Sequence, residues 1–529
     1  MRLTSMDYPD PDVIRVGNTY YMVSTTMYFM PGCEILKSHD LVNWEHASYV
    51  YERLDSTPAQ CLEEDTNIYG QGMWAASLRY HDGLFYICFV ANDTHKTYLY
   101  TSPDVRGPWT KNCVNGFYHD NSILFDDDGR VYIVYGNREI RLTELAPDLS
   151  GPKPGGIDKV IIRDSDDAPL GYEGSHFYKI GGKYYVFVIN IPRDTGRRTE
   201  SCFISDAVDG EYTGFKVMDD DHGFHGSGVA QGGIVDTPDG KWYAILFQDS
   251  GAVGRIPHLM PVTWNGDKPV FGDNGIIPKW FETPDLNPGY VYSPLVGSDD
   301  FKETSGDLKG EGDIDAEYDS FGFKSFWQFN HEPKPELIDR DHEKGTVRIT
   351  TGKLSANVMQ AVNTLTQRTV YPECMARVTL DGSGLKDGDY AGLCMLESEY
   401  AFIGLNRHNG QLRLVMCRRD LGDVDFWGER HDTEPPEISA EMPVSGDTVI
   451  LGVHADFTDL KDEAAFYYSD AECNTPDTGA DCTAGMISFG PVAKLKFRLD
   501  HFTGVRFALF VYSTAQTGGY AEFSDFVRC

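Results

Sequence analysis

The stretch Asp12-Val-Ile-Arg-Val-Gly-Asn-Thr-Tyr-Tyr-Met-Val23 decides the fold, because it joins two hydrophobic strands through a tight glycine turn. The same pattern, a strand, a glycine turn and an aromatic-rich strand, occurs five times in the first half of the chain. The turn glycines are Gly17, Gly83, Gly129, Gly182 and Gly240. Successive glycines lie 66, 46, 53 and 58 residues apart. That spacing is typical of a four-stranded propeller blade with variable loops, so the repeat predicts five blades around one axis.

One residue of each repeat should face that axis. Counting back nine residues from the last four turn glycines, and seven from the first, gives Asp10, Trp74, Asp120, Glu173 and Gln231. Three of the five are carboxylates. Acid–base chemistry at the centre of the propeller is therefore the leading hypothesis.

The repeat pattern ends after Arg255, and Pro284-Asp-Leu-Asn-Pro-Gly289 has the turn chemistry of a linker. The sequence beyond it alternates hydrophobic and polar residues without a long helical pattern, which predicts a two-sheet sandwich. We therefore expect an all-β protein with a propeller over residues 1–283, a linker over 284–297 and a β-sandwich over 298–529.

Composition excludes some classes of partner. The formal net charge of −35 makes nucleic acid an unexpected partner, since phosphate binding needs the opposite sign. The 529 residues contain no apolar stretch long enough to span a bilayer, so no membrane partner is expected. The N-terminus enters the first repeat almost at once without a signal peptide, which predicts a cytoplasmic protein, or an extracellular one if the sequence has been trimmed.

The 11 cysteines do not have metal-ligand spacing. Cys88 and Cys394 lie inside apolar strands, where a free thiol acts as a small core residue. Cys473 and Cys482 flank a polar loop, and a disulfide between them is left open.

Three carboxylates on one axis have a definite chemical use. One, ionised, takes a proton from water; a second, protonated, gives a proton to a leaving group; the third supplies the negative charge that raises the pKa of the donor. Glycoside hydrolysis needs this division of roles. Trp74 offers an apolar platform for a sugar ring, and Arg255 is the candidate for binding its polar substituents. Asp10 alone would fit a simple turn between prolines, and it is the shared repeat phase that favours catalysis.

Several motifs resemble glycoside hydrolase family 43, the β-xylosidase and α-L-arabinofuranosidase group. Tyr8–Gly17 is similar to its catalytic-base motif, and Trp74–His81 is similar to its WAPS-x-RYH segment, with Ala76 in place of proline. His119-Asp120 is similar to the site of its pKa-modulating aspartate, and Tyr172–His176 is similar to its general-acid motif. Gln231–Gly240 and Phe247–Arg255 resemble the exo-acting subgroup. Trp327–Pro333 and Gly518–Phe523 resemble the sandwich of the xylosidases.

The resemblance implies a five-bladed β-propeller followed by a concanavalin A-like β-sandwich. It implies inverting hydrolysis with Asp10 as base, Glu173 as acid and Asp120 as modulator. It also implies a substrate site that includes Trp74, Ala75, Gln231 and Arg255, with no required cofactor and no assigned metal ligand.

Two departures concern metal binding. Many relatives carry histidines where this chain has Ala230 and Ser250, and in some of them the first histidine helps to hold a central calcium ion or water cluster. A structural or active-site calcium ion is therefore left open, since carboxylate and water ligands can suffice. Relatives often form dimers or tetramers, so a homo-oligomer is left open as well.

The expected function is that of an exo-acting, inverting glycoside hydrolase that releases β-D-xylose from the non-reducing ends of xylo-oligosaccharides. An α-L-arabinofuranosidase, or an enzyme with both activities on arabinose-substituted substrates, is the alternative within the class. From a different class, the chain would be a carbohydrate-binding protein without catalysis. Binding of xylobiose without release of xylose would identify that case.

Overall fold

The predicted turn glycines each close a hairpin between the first two strands of a blade. Gly17, with a φ of 61°, begins a two-residue turn that pairs Val16 with Thr19. A left-handed φ of this kind favours glycine, because a Cβ atom would be strained there. The computed structural model describes residues 1–303, 321–422, 432–470 and 481–529. Cys473, one partner of the open cysteine pair, lies outside them.

The first half of the chain forms five antiparallel four-stranded sheets. Its strands are β1 Asp12–Val16, β2 Thr19–Val23, β3 Phe29–Met30, β4 Gly32–Ser38, β5 Glu45–Tyr51, β6 Met73–His81, β7 Leu84–Ala91, β8 Lys96–Ser102, β9 Thr110–Val114, β10 Ser122–Phe125, β11 Val131–Tyr135, β12 Glu139–Leu145, β13 Asp158–Arg163, β14 Leu170–Ile180, β15 Lys183–Ile191, β16 Thr199–Ser205, β17 Thr213–Met218, β18 Val229–Asp236, β19 Trp242–Asp249, β20 Arg255–Asn265 and β21 Lys268–Phe271. The blades are β1-β2-β4-β5 and then four consecutive sets of four strands, beginning at β6, β10, β14 and β18.

The blades close into a ring. Strand β1 lies beside both β6 and β18, and β10 and β14 complete the circle of inner strands. The N-terminal residues reinforce this closure, since Leu3 donates its backbone N–H to Pro257 O (2.8 Å) and the Met1 amine donates to Leu259 O (2.7 Å). The predicted five-bladed propeller is therefore confirmed.

A buried ion pair lies at the centre of the ring. Asp12 Oδ2 accepts hydrogen bonds from Arg79 Nη1 (2.6 Å) and the Leu78 backbone N–H (2.8 Å), and Oδ1 lies 3.2 Å from His176 Nδ1. Arg79 in turn donates from Nη2 to Ser122 Oγ (2.6 Å). Burial raises the pKa of Asp12, but Arg79 and His176 outweigh it and hold that pKa below its usual value. The contacts among Asp12, Arg79, Ser122 and His176 therefore join strands of four blades.

The second half forms two further sheets. Its strands are β22 Gln328–Asn330, β23 Ile338–Asp341, β24 Thr346–Thr350, β25 Leu365–Arg368, β26 Glu373–Asp381, β27 Asp389–Leu396, β28 Ala401–His408, β29 Gln411–Arg418, β30 Glu437–Pro443, β31 Thr448–Asp456, β32 Glu463–Asp470, β33 Ile487–Ser488, β34 Ala493–Lys494, β35 Arg506–Ser513 and β36 Tyr520–Arg528. One sheet has the order β3-β22-β25-β35-β27-β28-β29-β30. The other has the order β23-β24-β36-β26-β31-β32-β33, with β34 paired to β32.

The two sheets enclose one apolar core, as a β-sandwich requires. Trp327 and Phe507 are fully buried in it, and Cys394, like Cys88 in the propeller, is also fully buried. The only helices among the described residues are short 3₁₀-helices, at Gly251–Val253, Pro335–Leu337, Val358–Gln360 and Thr458–Leu460. None of these helices could cross a membrane.

The sandwich is continuous with the propeller. Strand β3 leaves the first blade and pairs with β22, so that Met30 lies opposite Phe329 in the edge of a sandwich sheet. Residues 284–297 contain no strand and lie against the first blade, where Leu286 donates its N–H to His39 O (2.9 Å). The sequence repeat did not predict β3, because that strand belongs to a loop of the blade.

Arg79→Ala should destabilise the propeller by about 3–5 kcal/mol, because it leaves the Asp12 carboxylate buried without its main cation. The matched control is Arg130→Ala, which breaks an ion pair to Asp128 whose side chains are 42% and 45% exposed. The control should cost less than about 1 kcal/mol. Urea unfolding of the three proteins measures the difference, and equal losses would contradict the central role of Asp12.

Candidate active site

The repeat-equivalent residues gather at one end of the inner strands. Asp10, Asp120 and Gln231 have left-handed φ angles of 52°, 49° and 61°. Non-glycine residues in this region are strained, and such strain is common where side chains must be aimed at a ligand. The backbone thus turns these three side chains into a shared space. The lining residues of that pocket are Asp10, Ala75, Ala76, Asp120, Asn121, Gly174, Ser175, His176 and Gln231.

Asp10 is held by an arginine at the floor of the pocket. Arg255 Nη1 lies 3.1 Å from Asp10 Oδ1 and 3.4 Å from Oδ2, and the arginine side chain is only 1% exposed. Asp7 fixes the arginine, because its Oδ1 accepts the Arg255 backbone N–H at 2.7 Å. A buried cation therefore contacts the Asp10 carboxyl group directly.

A loop of the sandwich completes the pocket. Arg255 Nη2 donates to Phe502 O (3.1 Å), and the Arg255 guanidinium lies 4.2 Å from the centre of the Phe502 ring. The Phe502 ring also contacts Trp74, with centroids 5.4 Å apart. The next segment of the loop is anchored by Gly504, whose N–H donates to Asp7 Oδ2 (2.8 Å). Two aromatic rings from different domains therefore form one wall.

Asp120 and Glu173 approach each other across the third and fourth blades. Asp120 Oδ2 accepts the backbone N–H of Gly174 at 3.0 Å. His119 Nε2 lies between the carboxylates, 3.7 Å from Asp120 Oδ2 and 3.9 Å from Glu173 Oε2. Asn137 Nδ2 donates to Glu173 Oε2. The arrangement places two carboxyl groups and one imidazole in direct electrostatic contact.

The electrostatics of this group follow from burial and like charge. Burial, together with the charges of Glu173 and Asp10, raises the pKa of Asp120 to about 6, against the opposing effect of His119. Burial lowers the pKa of His119, but Asp120, Glu173 and Asp10 outweigh it and raise the pKa to about 9. At neutral pH the imidazole is therefore cationic beside ionised Asp120.

Gln231 occupies the fifth axial position. Its backbone N–H donates to Glu200 Oε2 at 2.7 Å, and burial raises the pKa of Glu200 well above its usual value. Gly174, with a φ of 66°, is required here, because a Cβ atom would lie 2.7 Å from Gln231 Cδ. The glutamine side chain therefore packs on the residue next to Glu173.

All the site residues predicted from the sequence fall in or around this pocket. Trp74 is half-buried, and its ring centroid lies 5.9 Å from that of His119. The predicted set did not include three residues that contact its members, namely His119, Asn137 and Phe502. His119 adjoins a predicted residue in sequence, whereas Asn137 and Phe502 lie in loops outside the repeat phase. Only the folded chain brings them to the axis.

The described residues contain one group of at least three candidate metal ligands, formed by His119, Asp120 and Glu173, whose ligand atoms lie within 4.8 Å of one another. Calcium prefers six to eight oxygen ligands, and this group supplies two carboxylates and a nitrogen. This group therefore fits calcium poorly, and a calcium ion at another position is left open.

Comparison with known proteins agrees with this geometry. The family model for glycosyl hydrolases family 43 matches residues 3–269, and a model for the beta xylosidase C-terminal concanavalin A-like domain matches residues 316–527. A protein of Xylanibacter ruminicola with a provisional beta-xylosidase name is 30% identical over 419 residues, which cover 75% of this chain and 71% of that protein. A non-reducing end alpha-L-arabinofuranosidase of Bacteroides ovatus is 26% identical over 475 residues, or 86% of this chain and 82% of the relative.

Solved structures share the whole architecture. A structure described as a bifunctional GH43-CE of Bacteroides eggerthii is 39% identical with a TM-score of 0.86, and it matches 100% of this chain. This chain spans 63% of that protein's length. The fold and the site define a glycoside hydrolase with a propeller and a concanavalin A-like sandwich. The chain belongs to glycoside hydrolase family 43.

Asp120→Asn should stabilise the protein at pH 8, because the wild-type carboxyl ionises in a buried, anionic site. A raised folded-state pKa means that the wild type loses stability relative to the variant as pH rises from about 4 to about 6. The gain is on the order of 1–3 kcal/mol, since His119 offsets part of the cost. Unfolding midpoints at pH 4, 6 and 8 test this, with exposed Asp128→Asn as a control that should show no gain. If the difference in stability between Asp120→Asn and the wild type does not change with pH, the raised pKa of Asp120 is contradicted.

Proposed function

We propose that this protein is an exo-acting, inverting β-xylosidase that removes β-D-xylose from the non-reducing ends of xylo-oligosaccharides. The observation that carries the proposal is that Asp10 and Asp120 line one pocket, with Glu173 beside Asp120, Arg255 against Asp10 and two aromatic rings next to them. Family membership supports hydrolysis of a glycosidic bond, and relatives with β-xylosidase names support the sugar.

Asp10 is the general base in this proposal. Arg255 holds the carboxyl group in place, and the pocket beside it leaves space for a water molecule. The ionised oxygen takes a proton from that water as it attacks the anomeric carbon from the face opposite the leaving group. Inversion of configuration follows from this single displacement.

Glu173 is the general acid. It must be protonated when the glycosidic bond breaks, and then gives its proton to the leaving oxygen. Asp120 lies beside the acid, and burial together with the charges of Glu173 and Asp10 raises its own pKa to about 6. The Asn137 amide orients the carboxyl group by donating to Oε2. Asp120 is therefore the modulator of the pair.

The wall formed by Trp74 and Phe502 supports the exo mode. The two rings, 5.4 Å between centroids, offer apolar faces on which a pyranose ring can stack. The sandwich loop that carries Phe502 lies against the propeller mouth, which favours a pocket for a chain end over an open cleft. This arrangement favours a substrate that presents a terminal xylose at its non-reducing end.

An α-L-arabinofuranosidase, or an enzyme with both activities, is the second candidate, favoured by the arabinofuranosidase name of the Bacteroides ovatus relative. A carbohydrate-binding protein without catalysis is disfavoured, because binding alone needs neither the strained backbone of Asp10 and Asp120 nor a raised carboxyl pKa. We also propose that hydrolysis requires no cofactor, since the three carboxylates supply the acid and base. A cytoplasmic location and a homo-oligomeric state remain proposals from the sequence.

Glu173→Gln should lower kcat on xylobiose by about 10²–10⁴-fold, because the amide cannot give a proton to the departing sugar oxygen. The loss should be much smaller on an activated aryl β-xyloside, whose leaving group departs without protonation. Steady-state kinetics on both substrates measure the split. The control Glu139→Gln removes a carboxylate that is 44% exposed and paired with Arg163, and it should leave both rates unchanged. Full activity of Glu173→Gln on xylobiose would overturn the assignment of the acid.

A further inference from the structure

A second arginine lies beside Phe247, the ring that Arg255 also contacts, and neither the sequence repeat nor the mechanism above accounts for it. Arg198 belongs to the loop between β15 and β16. Its Nε donates to Asp249 Oδ2 at 2.9 Å, and its side chain is 14% exposed. Its two Nη atoms donate to none of the residues that the structure describes. A guanidinium offers five N–H groups, so most of the donors of Arg198 are unused.

One aromatic ring relates this arginine to the floor of the pocket. The guanidinium of Arg198 lies 5.4 Å from the centre of the Phe247 ring, and that of Arg255 lies 5.3 Å from the same ring. Arg255 is 1% exposed and contacts Asp10, whereas Arg198 is 14% exposed. The two guanidinium groups therefore lie beside the same ring, and Arg198 is the nearer of the two to solvent.

Arg198 also interacts electrostatically with the catalytic carboxylates. Burial lowers its pKa, but Asp249 and, more weakly, Glu173 and Asp10 outweigh burial and raise it. Because Arg198 interacts with Glu173 and lies nearer to solvent than Arg255, we expect it to be close to the leaving-group sugar. In an exo-acting pocket the terminal sugar fills the floor, and the leaving group lies towards the mouth.

A purely structural role would explain only part of this geometry. The single Arg198–Asp249 contact ties the fourth blade to the fifth, as many ion pairs between blades do. It does not explain why the two Nη groups of the guanidinium have no partner among the described residues. A planar guanidinium fork is well suited to bind two neighbouring oxygen atoms at once.

We propose that Arg198 binds the hydroxyl groups of the leaving-group sugar, the second xylose of a xylo-oligosaccharide. The inference rests on the proposed function and adds to it a specificity-determining residue. By holding the second sugar, the guanidinium aligns the glycosidic oxygen with the Glu173 carboxyl. Arg198 thereby makes the enzyme prefer oligosaccharides over xylosides whose leaving group has no hydroxyls to bind.

The test compares two substrates that differ only in the leaving group, xylobiose and 4-nitrophenyl β-D-xyloside. Arg198→Ala should lower kcat/KM on xylobiose tenfold or more, the loss expected for a charge-assisted hydrogen bond, and change the aryl xyloside less than about threefold. Arg198→Lys should fall between, because lysine keeps the charge without the fork. The control is Arg193→Ala in the same loop, at 70% exposure, which should affect neither substrate.

Equal losses on both substrates, or no loss on xylobiose, would overturn the proposal. Calorimetric titration in a Glu173→Gln background gives an independent readout, in which Arg198→Ala should weaken xylobiose tenfold and leave xylose unchanged. A failure of the proposed function is distinguishable, because the wild type would then cleave neither xyloside. If it cleaves arabinofuranosides instead, an arabinobiose and aryl arabinofuranoside pair decides on Arg198 by the same ratio.

Discussion

The buried contact between Asp12 and Arg79 is the constraint on which the site depends. One carboxylate accepts hydrogen bonds from the second blade and contacts His176 of the fourth, and the arginine continues to Ser122 of the third. Asp12 lies two residues after Asp10, His176 lies three after Glu173, and Ser122 lies two after Asp120. The same contacts that join the blades thus help to position the three carboxylates that we propose as catalytic.

The site places three carboxyl groups and two cationic side chains in a small, largely buried space. Arg255 contacts Asp10, and His119 lies between Asp120 and Glu173. This pairing explains how a strongly acidic chain holds three carboxylates together without losing the pocket to repulsion. In the proposed mechanism the base has a buried guanidinium beside it, and the acid has another carboxyl group beside it.

The repeat made the propeller and its axial residues predictable, because a period in sequence becomes a rotation in space. Asp10, Asp120 and Gln231 could be found without a structure because each lies at the same phase of its repeat. Phe502 and the edge strand β3 could not, since their positions follow from packing between the two domains. Arg198 and Asn137 lie in blade loops, whose lengths vary, and no period fixes their direction. A bridge between Cys473 and Cys482 was left open by the sequence, and Cys473 lies outside the described residues.

The central claim is single-displacement hydrolysis with Asp10 as base and Glu173 as acid, and the anomeric form of the first product tests it most directly. Proton NMR of xylobiose with the enzyme, recorded from the earliest seconds, distinguishes the two anomers before mutarotation mixes them. The account predicts that α-xylose appears first from the β-linked substrate. Initial release of β-xylose would mean a covalent intermediate and would contradict the roles assigned to both residues.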